Sequence, residues 1–405
     1  MAVGNDSLPR LHPVPGIRVA AVAAGVRKPG RLDLALLEMA PGGTAAAVFT
    51  TNRFRAAPVQ VAETHLRDTS PRYLIVNTGN ANAGTGPAGV DDARRCCQTL
   101  AEIAGCRESE VVPFSTGVIG EPLPVAPIVA GMPAAFDALD ADGWAEAAEG
   151  ILTTDTRPKG ASERVTIDGQ TVTVTGIAKG AGMIRPNMAT MLAFIATDAA
   201  LEPGLARRLL RDATAVSFNR ITVDGDTSTN DACTLLASGR SGVRLDDGNA
   251  AGCKAFAAAL ERVCAALARA VVRDGEGATR EIQISVSGAA SEAEAERVAF
   301  TVAESPLVKT AVFAGDPNWG RLLAAVGRAG IADLDVSRVR IALDDYVIAE
   351  EGGRTPTYDE REAARRMAAE VIPVHIDLDR GDSSATVWTC DFSYEYVRIN
   401  ADYRT

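Results

Sequence analysis

The amino-acid sequence predicts a mixed α/β protein that carries a second, smaller α/β unit at its C-terminal end. Short apolar runs punctuated by glycine and proline extend from Gly16 to Val26 and from Leu32 to Thr50, which is typical of strands. Residues 251–272 place apolar side chains at helical spacing on one face, which predicts a long amphipathic helix. After residue 280 strand and helix patterns alternate again, so we predict domains at residues 1–280 and 281–405.

Composition limits the class of protein to which the chain belongs. Its 405 residues, 47% hydrophobic and 23% charged, are typical of a soluble globular protein. Acidic residues outnumber basic ones by 52 to 41, which argues against a nucleic acid or an anionic membrane as the main partner. Residues 1–15 lack the apolar core of a secretory signal, and no uncharged apolar run is long enough to span a bilayer.

The cysteine pattern predicts neither a disulfide framework nor a zinc site. The count is odd, and no two cysteines have C-x-x-C spacing. We therefore expect buried, reduced thiols in a cytoplasmic protein, and no motif predicts a bound metal or cofactor. The seven residues are Cys96, Cys97, Cys106, Cys233, Cys253, Cys264 and Cys390.

A glycine-rich region follows the strand predicted at residues 72–77. Residues 77–83 (NTGNANA) suit a tight turn that brings backbone close to a ligand. Residues 84–89 (GTGPAG) satisfy G-x-G-x-x-G and precede a helix predicted from Asp91 to Ala104. A dinucleotide-binding loop follows its strand directly, whereas residues 78–83 intervene here, so nucleotide binding is the weaker interpretation.

Two more segments of the first domain have a clear local pattern. A strand at residues 110–114 leads into residues 115–120 (STGVIG), which by themselves indicate a glycine turn after a strand. Residues 165–177 predict a hairpin, with Asp168 and Gly169 as its turn.

A possible calcium loop lies beyond the amphipathic helix predicted at residues 205–216. The EF-hand pattern then fails, because Thr229 occupies the glycine position and Leu235 the position of the terminal glutamate. We therefore predict no calcium site. The residues with EF-hand spacing are Asp224, Asp226, Ser228 and Asn230.

The second domain is predicted from an alternation of strands and helices. The loop at residues 315–321 (GDPNWGR) contains turn residues around one anchoring tryptophan, and the last residues are expected to fray. The predicted elements are a strand from residue 282, a helix at 290–304, a strand at 306–314, a helix at 322–326, strands at 339–348, a helix at 358–371, and strands at 374–378 and 385–391.

Residues 179–192 (KGAGMIRPNMATML) are the stretch around which the chain is organised. Pro186 lacks an amide donor and restrains the residue before it, so regular structure is expected to break before Ala189. Thr190 then lies where a loop enters the apolar segment 191–196. From these residues alone, Thr190 is either a strand-edge threonine or a hydroxyl held for chemistry.

Once the peptide bond before Thr190 is cleaved, this residue carries both a hydroxyl group and a free α-amine, which together make a nucleophile and its base. A threonine hydroxyl requires an adjacent base, and a free α-amine has a pKa of about 7.7–8.0. The three histidines, at positions 12, 65 and 375, lie in no recognisable triad motif, so a serine–histidine–aspartate mechanism has little support.

The motif around Ala189-Thr190 resembles the autocleavage segment of the ornithine acetyltransferase family, also called glutamate N-acetyltransferases. The blocks NTGNANA, STGVIG, TTDTRPK, VDGDTSTND, DGEGATR and GDPNWGR and the terminal YVRINADYRT extend the resemblance over nearly the whole chain. It implies an α/β (α+β) layered sandwich with the N-terminal-nucleophile-like DmpA/ornithine acetyltransferase fold and a smaller C-terminal α/β domain.

The resemblance also implies a self-cleaving enzyme. The bond between Ala189 and Thr190 would open to give an alpha chain of residues 1–189 and a beta chain from residue 190, with Thr190 as the catalytic nucleophile. The oxyanion hole would consist of Thr116 and Gly117. The substrate-binding residues implied in this way are Thr156, Lys179, Thr190, Glu276, Asn400 and Thr405.

The implied reaction moves an acetyl group from N2-acetyl-L-ornithine to L-glutamate through an acetyl-Thr190 intermediate, in arginine biosynthesis. The partners are these small molecules, with no nucleic acid or membrane, and the implied assembly is a heterotetramer of two alpha and two beta chains. The sequence leaves open whether acetyl-CoA is a second donor. The alternatives are an N-terminal-nucleophile amidase or aminopeptidase, and a non-enzymatic module that binds a nucleotide or amino acid at residues 84–89.

Overall fold

The computed structural model describes residues 2–4, 7–185, 191–246 and 248–402. The chain forms two compact units. Among the described residues, the N-terminal unit comprises those within 7–219 and 227–271, and the C-terminal unit comprises those within 2–4, 220–226 and 272–402. The division predicted at residue 280 stays a prediction. In the described ranges no helix is both long and apolar enough to cross a membrane.

The secondary structure alternates between strands and helices along the whole chain. The strands are β1 (Ile17–Val22), β2 (Leu34–Met39), β3 (Thr44–Phe49), β4 (Tyr73–Asn80), β5 (Val111–Val118), β6 (Lys159–Ile167), β7 (Gln170–Lys179), β8 (Leu192–Thr197), β9 (Ala200–Leu201), β10 (Ala232–Ala237), β11 (Arg244–Leu245), β12 (Glu281–Ala289), β13 (Arg340–Leu343), β14 (Tyr346–Glu350), β15 (Gly353–Arg354), β16 (Val371–Asp377) and β17 (Ser383–Cys390). The helices are α1 (Ala57–Asp68), α2 (Gly86–Ala104), α3 (Val125–Asp137), α4 (Trp144–Gly150), α5 (Pro203–Ala215), α6 (Ala250–Arg273), α7 (Glu292–Ala303), α8 (Pro306–Ala314), α9 (Trp319–Gly327), α10 (Glu360–Met367) and α11 (Tyr394–Asp402).

The N-terminal unit contains two large sheets. The first has the order β1-β2-β4-β5, in which β4 and β5 run parallel. The second has the order β3-β10-β8-β7-β6, in which β8 and β10 run parallel and the other pairs are antiparallel. Strand β8 is the middle strand of the second sheet, and all six of its residues are buried. Burial on both faces explains why β8 is continuously apolar rather than alternating.

The two sheets pack face to face, with helices outside each of them. Side chains from both sheets share one core, in which the rings of Phe114 and Phe194 meet edge to face with centroids 5.1 Å apart. Helices α2 and α3 cover the other face of the first sheet. Helix α6 covers the second sheet, where Val263 and Leu267 lie against Gly176 of β7. This α–β–β–α layering confirms the predicted α/β class.

Local sequence patterns predicted several elements of this unit correctly. Asp168 (φ 51°) and Gly169 (φ 76°) form the tight turn between β6 and β7, as the hairpin signal predicted. The apolar stripe of α6 is fully buried, as expected from its spacing, and consists of Phe256, Leu260, Val263, Leu267 and Val271.

The C-terminal unit is built on one six-stranded sheet of order β15-β14-β13-β16-β12-β17. Strands β12 and β16 are parallel, while β17 and β13 run antiparallel to their neighbours. Side chains of α7, α8, α9 and α10 form one core with the sheet, and Trp319 packs at its edge. The smaller α/β unit predicted for this part of the chain is therefore present.

The strand predicted at residues 306–314 was wrong, because this segment is helix α8. Ser305 accepts a hydrogen bond from the Val308 amide as the N-cap, and Pro306 occupies the first turn, where its missing amide is not needed. Val308, Ala311 and Val312 are the buried apolar positions, at helical rather than alternating spacing.

Three predicted boundaries also need correction. Helix α2 begins at Gly86 rather than at Asp91, with Pro87 in its first turn, so the G-x-G-x-x-G segment lies partly inside the helix. The helix predicted at residues 358–371 is α10, which ends at Met367, and strand β16 already starts at Val371. The segment 115–118, interpreted as a turn, continues strand β5.

Candidate active site

Thr116 and Gly117 lie near the carboxyl end of β5, beside the parallel strand β4. Gly117 pairs with Gly79 and has a φ of 136°, a conformation that residues with a side chain rarely adopt. A Cβ atom at Gly117 would lie 2.3 Å from the Gly79 carbonyl carbon and 2.6 Å from the Asn80 nitrogen. Only glycine allows the two backbones to approach this closely, which explains the glycines in both STGVIG and NTGNANA.

Buried asparagines brace the loop beside this pair of strands. Asn77 accepts a hydrogen bond from the Ser115 hydroxyl (2.6 Å) and donates to the Asn80 carbonyl (2.9 Å). Asn230 donates to the carbonyls of Ala81 (2.6 Å) and Ser115 (2.9 Å), which ties the segment before β10 to β5. These side chains satisfy buried backbone carbonyls, so their role is to hold the positions of β4 and β5.

Lys179, the last residue of β7, points at the end of β5. Its ammonium donates to the Thr153 hydroxyl at 2.6 Å and to the Thr116 hydroxyl at 3.3 Å, and its side chain is 10% exposed. The motifs that contain Lys179 and Thr116 are distant in the sequence. Their side chains meet because β7 and β5 belong to sheets that face each other across a common core.

Asp155 connects Lys179 to a second buried lysine. Its Oδ1 atom accepts hydrogen bonds from Lys159 Nζ (2.6 Å) and the Gly180 amide (2.6 Å), and its Oδ2 atom lies 3.7 Å from Lys179 Nζ. Burial by itself would raise the pKa of Asp155, but the charges of the two lysines and the hydrogen bonds from Lys159 and Thr153 outweigh it and hold the pKa well below its usual range. Asp155 is therefore ionised.

The sequence alone predicts that Lys159 of TTDTRPK is either structural or exposed to solvent. The structure shows the structural alternative, since Lys159 is buried and paired with Asp155. Asp155 itself was not singled out, although the spacing Asp155-x-x-x-Lys159 within TTDTRPK could have indicated an ion pair. Thr156, predicted to contact substrate, is the exposed residue of this block.

Asp231 lies immediately before β10 and is another buried carboxyl group. In the described part of the chain its Oδ2 atom has no hydrogen-bond partner. Burial raises the pKa of Asp231 well above its usual range, while hydrogen bonds from Ser228 and the charge of Lys179 lower it less. The Asp231 carboxyl group therefore holds its proton more tightly than an exposed aspartate does. No feature of the sequence alone separates it from the other acidic residues of VDGDTSTND.

The two residues that follow Thr190, Met191 and Leu192, lie near Lys179 and β10. Lys179 is the register partner of Leu192, the first residue of β8. The Ala232 amide donates to the carbonyl of Met191 at 2.9 Å. The predicted cleavage residues Ala189 and Thr190, and the predicted tail residue Thr405, lie outside the described residues.

Two further predicted residues meet within the C-terminal unit. The Asn400 side chain, on α11, donates to Glu276 Oε2 at 2.8 Å, and Glu276 is only 7% exposed. Gly277 has a φ of 72°, and a Cβ atom there would lie 2.5 Å from the Tyr396 nitrogen. The glycine of DGEGATR thus lets the start of α11 pack closely, so that Asn400 reaches Glu276. The tail, expected to fray, is helical up to Asp402.

In the N-terminal unit, the ammonium group of Lys179 and the hydroxyl group of Thr116 lie together near the carboxyl end of β5. Among the residues that the structure describes, no group of three or more histidine, cysteine, aspartate or glutamate side chains is placed to hold a metal ion. The site-residue assignments stay predictions, since the geometry shows proximity rather than catalysis.

Comparison with known proteins gives one family. The model of the ArgJ family matches residues 18–405. The arginine biosynthesis bifunctional protein ArgJ of Pseudomonas syringae pv. tomato is 53% identical over 406 aligned positions, covering 100% of both chains. The protein of the same name from Methylococcus capsulatus is 57% identical over 396 positions, covering 98% of this chain and 97% of the relative.

A solved structure with the same name is also similar. The arginine biosynthesis bifunctional protein ArgJ of Bacillus halodurans is 39% identical, with a TM-score of 0.49. The match covers 52% of this chain and 98% of the solved chain.

Proposed function

The chain belongs to the ArgJ family of arginine-biosynthesis enzymes, and from this premise we propose that it transfers an acetyl group from N2-acetyl-L-ornithine to L-glutamate. The observation that supports the proposal most directly is the 3.3 Å approach of Lys179 Nζ to Thr116 Oγ1, in front of the strand that begins two residues after Thr190. Together with the 2.6 Å contact between Lys179 Nζ and Thr153 Oγ1, this contact joins three family motifs: STGVIG, TTDTRPK and KGAGMIRPNMATML.

The proposed reaction has two half-reactions on Thr190. The hydroxyl oxygen attacks the acetyl carbonyl while the residue's own α-amine takes the proton, which gives a tetrahedral oxyanion. The Thr116 hydroxyl and the Gly117 amide stabilise that oxyanion. Ornithine leaves with that proton on its amine. The glutamate amine then attacks the acetyl-Thr190 ester, the α-amine passes a proton from the attacking nitrogen to the departing Thr190 oxygen, and N-acetylglutamate is released with the free hydroxyl restored.

The remaining motif residues are proposed to hold the substrate. Glu276 suits the amine end of ornithine, because a buried carboxylate that already accepts a hydrogen bond from Asn400 favours a cation. We assign Asn400, Thr405 and Thr156 to substrate binding, and Lys179 to a substrate carboxylate, from their positions in the family motifs.

Self-cleavage between Ala189 and Thr190 is part of the proposal, because it creates the α-amine that serves as base. The two chains would stay associated, since β8 is fully buried between β7 and β10. Mass spectrometry of the purified wild-type protein should find two fragments, the second starting at Thr190. Thr190→Ala should stay intact and inactive, and Thr190→Ser should be cleaved more slowly. An intact, active wild-type chain would exclude this mechanism.

An acetyl-transfer assay separates the proposal from hydrolysis on the same threonine. N-acetylornithine is supplied with and without glutamate, and free acetate, ornithine and N-acetylglutamate are measured. Ornithine and N-acetylglutamate should appear together only when glutamate is present. Release of acetate at the same rate without glutamate would instead support an amidase.

The relatives' name includes the word bifunctional, so acetyl-CoA is the second donor to test. Formation of N-acetylglutamate from acetyl-CoA and glutamate would establish that activity. We further propose a heterotetramer of two alpha and two beta chains, which light scattering of the cleaved protein would measure.

A further inference from the structure

Lys179 is the end of a buried row of charges in the N-terminal unit. Lys159 Nζ lies 2.6 Å from Asp155 Oδ1, and Asp155 Oδ2 lies 3.7 Å from Lys179 Nζ. The three side chains are 1%, 0% and 10% exposed, respectively. Such a row is rigid, because the Gly180 amide and the Thr153 amide also donate to the same carboxylate.

The two lysines share the carboxylate of Asp155. Lys159 Nζ lies 2.6 Å from Asp155 Oδ1, and Lys179 Nζ lies 3.7 Å from Asp155 Oδ2. Asp231 also interacts with Lys179, and burial raises the pKa of its carboxyl group well above the usual range. Of the two lysines, Lys179 is the one whose ammonium group also reaches the Thr116 hydroxyl.

The direction of the hydrogen bond to Thr116 follows from the chemistry of the ammonium group. An ammonium group only donates, so Thr116 Oγ1 is the acceptor at 3.3 Å. The Thr116 hydroxyl keeps its own hydrogen for another acceptor. Thr153 Oγ1, at 2.6 Å, receives a second hydrogen bond from the same ammonium and fixes its orientation.

We infer that Lys179 is a positioning residue of the oxyanion hole, whose ammonium, anchored by Asp155 and Lys159, orients and polarises the Thr116 hydroxyl as a donor to the tetrahedral intermediate. This inference rests on the proposed acetyl transfer, and for Lys179 it replaces the pairing with a substrate carboxylate that the family motif alone implies. A carboxylate partner acts mainly on substrate binding, whereas a polarised donor acts on the transition state.

The two roles predict different kinetics. Lys179→Met removes the ammonium and keeps the length of the side chain. It should lower kcat by about 10- to 100-fold, somewhat less than the loss of a whole oxyanion donor, and should leave KM for both substrates within about three-fold. A large rise in KM for either substrate with an unchanged kcat would assign Lys179 to substrate binding and overturn the inference.

A double-mutant cycle with Thr116 is the sharper test. Thr116→Val removes the hydroxyl with little change in shape, and should lower kcat by about 100-fold or more. If Lys179 acts through that hydroxyl, the double variant Lys179→Met/Thr116→Val should be no slower than Thr116→Val alone. Multiplicative losses would mean that Lys179 acts independently of Thr116, which contradicts the inference.

Self-cleavage and folding are measured on the same samples. Rates are normalised to the amount of the fragment that starts at Thr190, and thermal unfolding checks that each variant is folded. A folded Lys179→Met chain that stays uncut while Thr116→Val is cut would also overturn the inference, because Lys179 would then act on cleavage without Thr116. An inactive wild-type protein would refute the proposed function itself, whereas an active wild type with multiplicative losses refutes only the role of Lys179.

Discussion

Asp155 Oδ1 lies 2.6 Å from Lys159 Nζ, and neither side chain is more than 1% exposed, so this ion pair is buried in protein. The same carboxylate faces Lys179 and accepts from the Gly180 amide, at the point where β7 ends. The pair therefore couples the stability of the N-terminal unit to the geometry of the candidate active site.

Asp155→Asn should be strongly destabilising, because it removes the buried carboxylate that the ammonium groups of Lys159 and Lys179 share. Removing one partner of a buried pair typically costs about 3–5 kcal/mol. Lys159→Met should cost less, since Asp155 still faces Lys179. Urea unfolding at neutral pH measures both.

The matched control is an exposed ion pair. Arg398 pairs with Glu395 at 2.6 Å with side chains 65% and 42% exposed, so Arg398→Ala should change stability by less than about 1 kcal/mol. If Asp155→Asn were as mild as this control, the buried charges would have to be solvated or neutral in solution.

Gly117→Ala should abolish acetyl transfer and destabilise the fold. The new methyl group would lie 2.3 Å from the Gly79 carbonyl carbon, and the φ of 136° is strained for alanine. Backbone strain and overpacking together suggest a loss of about 3 kcal/mol or more. Gly204→Ala in α5, where the nearest atom is 3.9 Å away, is the control and should leave thermal unfolding almost unchanged. Equal midpoints for the two variants would mean that β4 and β5 separate without penalty.

The elements that the sequence predicted well are those fixed by local chemistry. The turn at Asp168 and Gly169 needs only two residues that tolerate positive φ, and the stripe of α6 needs only helical spacing. The segment 306–314 was assigned to the wrong element because its Val, Ala and Phe content suits either structure. The decisive feature was the Ser305-Pro306 cap, which takes priority over apolar content.

The sequence indicated the motifs of the candidate site but not how their residues are arranged in space. No spacing in the sequence places Lys179 near Thr116, because their contact depends on how two sheets pack. The sequence left a structural and an exposed position open for Lys159, because its burial depends on the pairing with Asp155. The raised pKa of Asp231 likewise follows from burial, which one sequence does not reveal.

Glu276→Gln should weaken the binding of N-acetylornithine selectively. The amide keeps the shape of the carboxylate but loses the charge that would pair with the ornithine amine. Since hydrogen bonds to charged groups contribute about 1.5–3 kcal/mol, KM for N-acetylornithine should rise by about 10- to 100-fold, with a much smaller change for glutamate. Steady-state kinetics with each substrate varied in turn checks this prediction. Equal changes for both substrates would argue against a specific contact with ornithine.

Most of the thiols should resist alkylation in the folded protein. Burial raises the pKa of Cys96 and Cys264 to about 12 and that of Cys390 to about 11, so reactive thiolate is scarce. Cys106 and Cys253 are only partly buried and should react first. Mass spectrometry after brief treatment with iodoacetamide identifies the modified residues, and denatured protein is the control in which all should react. Rapid modification of Cys264 in folded protein would contradict its burial.

Asp231 should make the fold less stable as the pH rises. Its folded-state pKa is raised by burial above the value of about 3.9 for an unfolded chain. Below that unfolded pKa both states are protonated. As the pH rises further, the unfolded state releases the proton while the folded state keeps it, so unfolding becomes more favourable until the folded-state pKa is passed.

Asp231→Asn removes this titration and keeps the size of the side chain, so the wild type should lose stability relative to the variant as the pH increases. The difference in unfolding free energy should change by at most about 1.4 kcal/mol per pH unit, in favour of the variant, as the pH rises from about 4 towards the folded-state pKa. Urea unfolding of both chains in the Thr190→Ala background measures it on a single polypeptide. Because every other titrating group is common to both chains, a difference that does not vary with pH would show that Asp231 is ionised in the folded protein, and the unpartnered Oδ2 atom would then require a partner from outside the described residues.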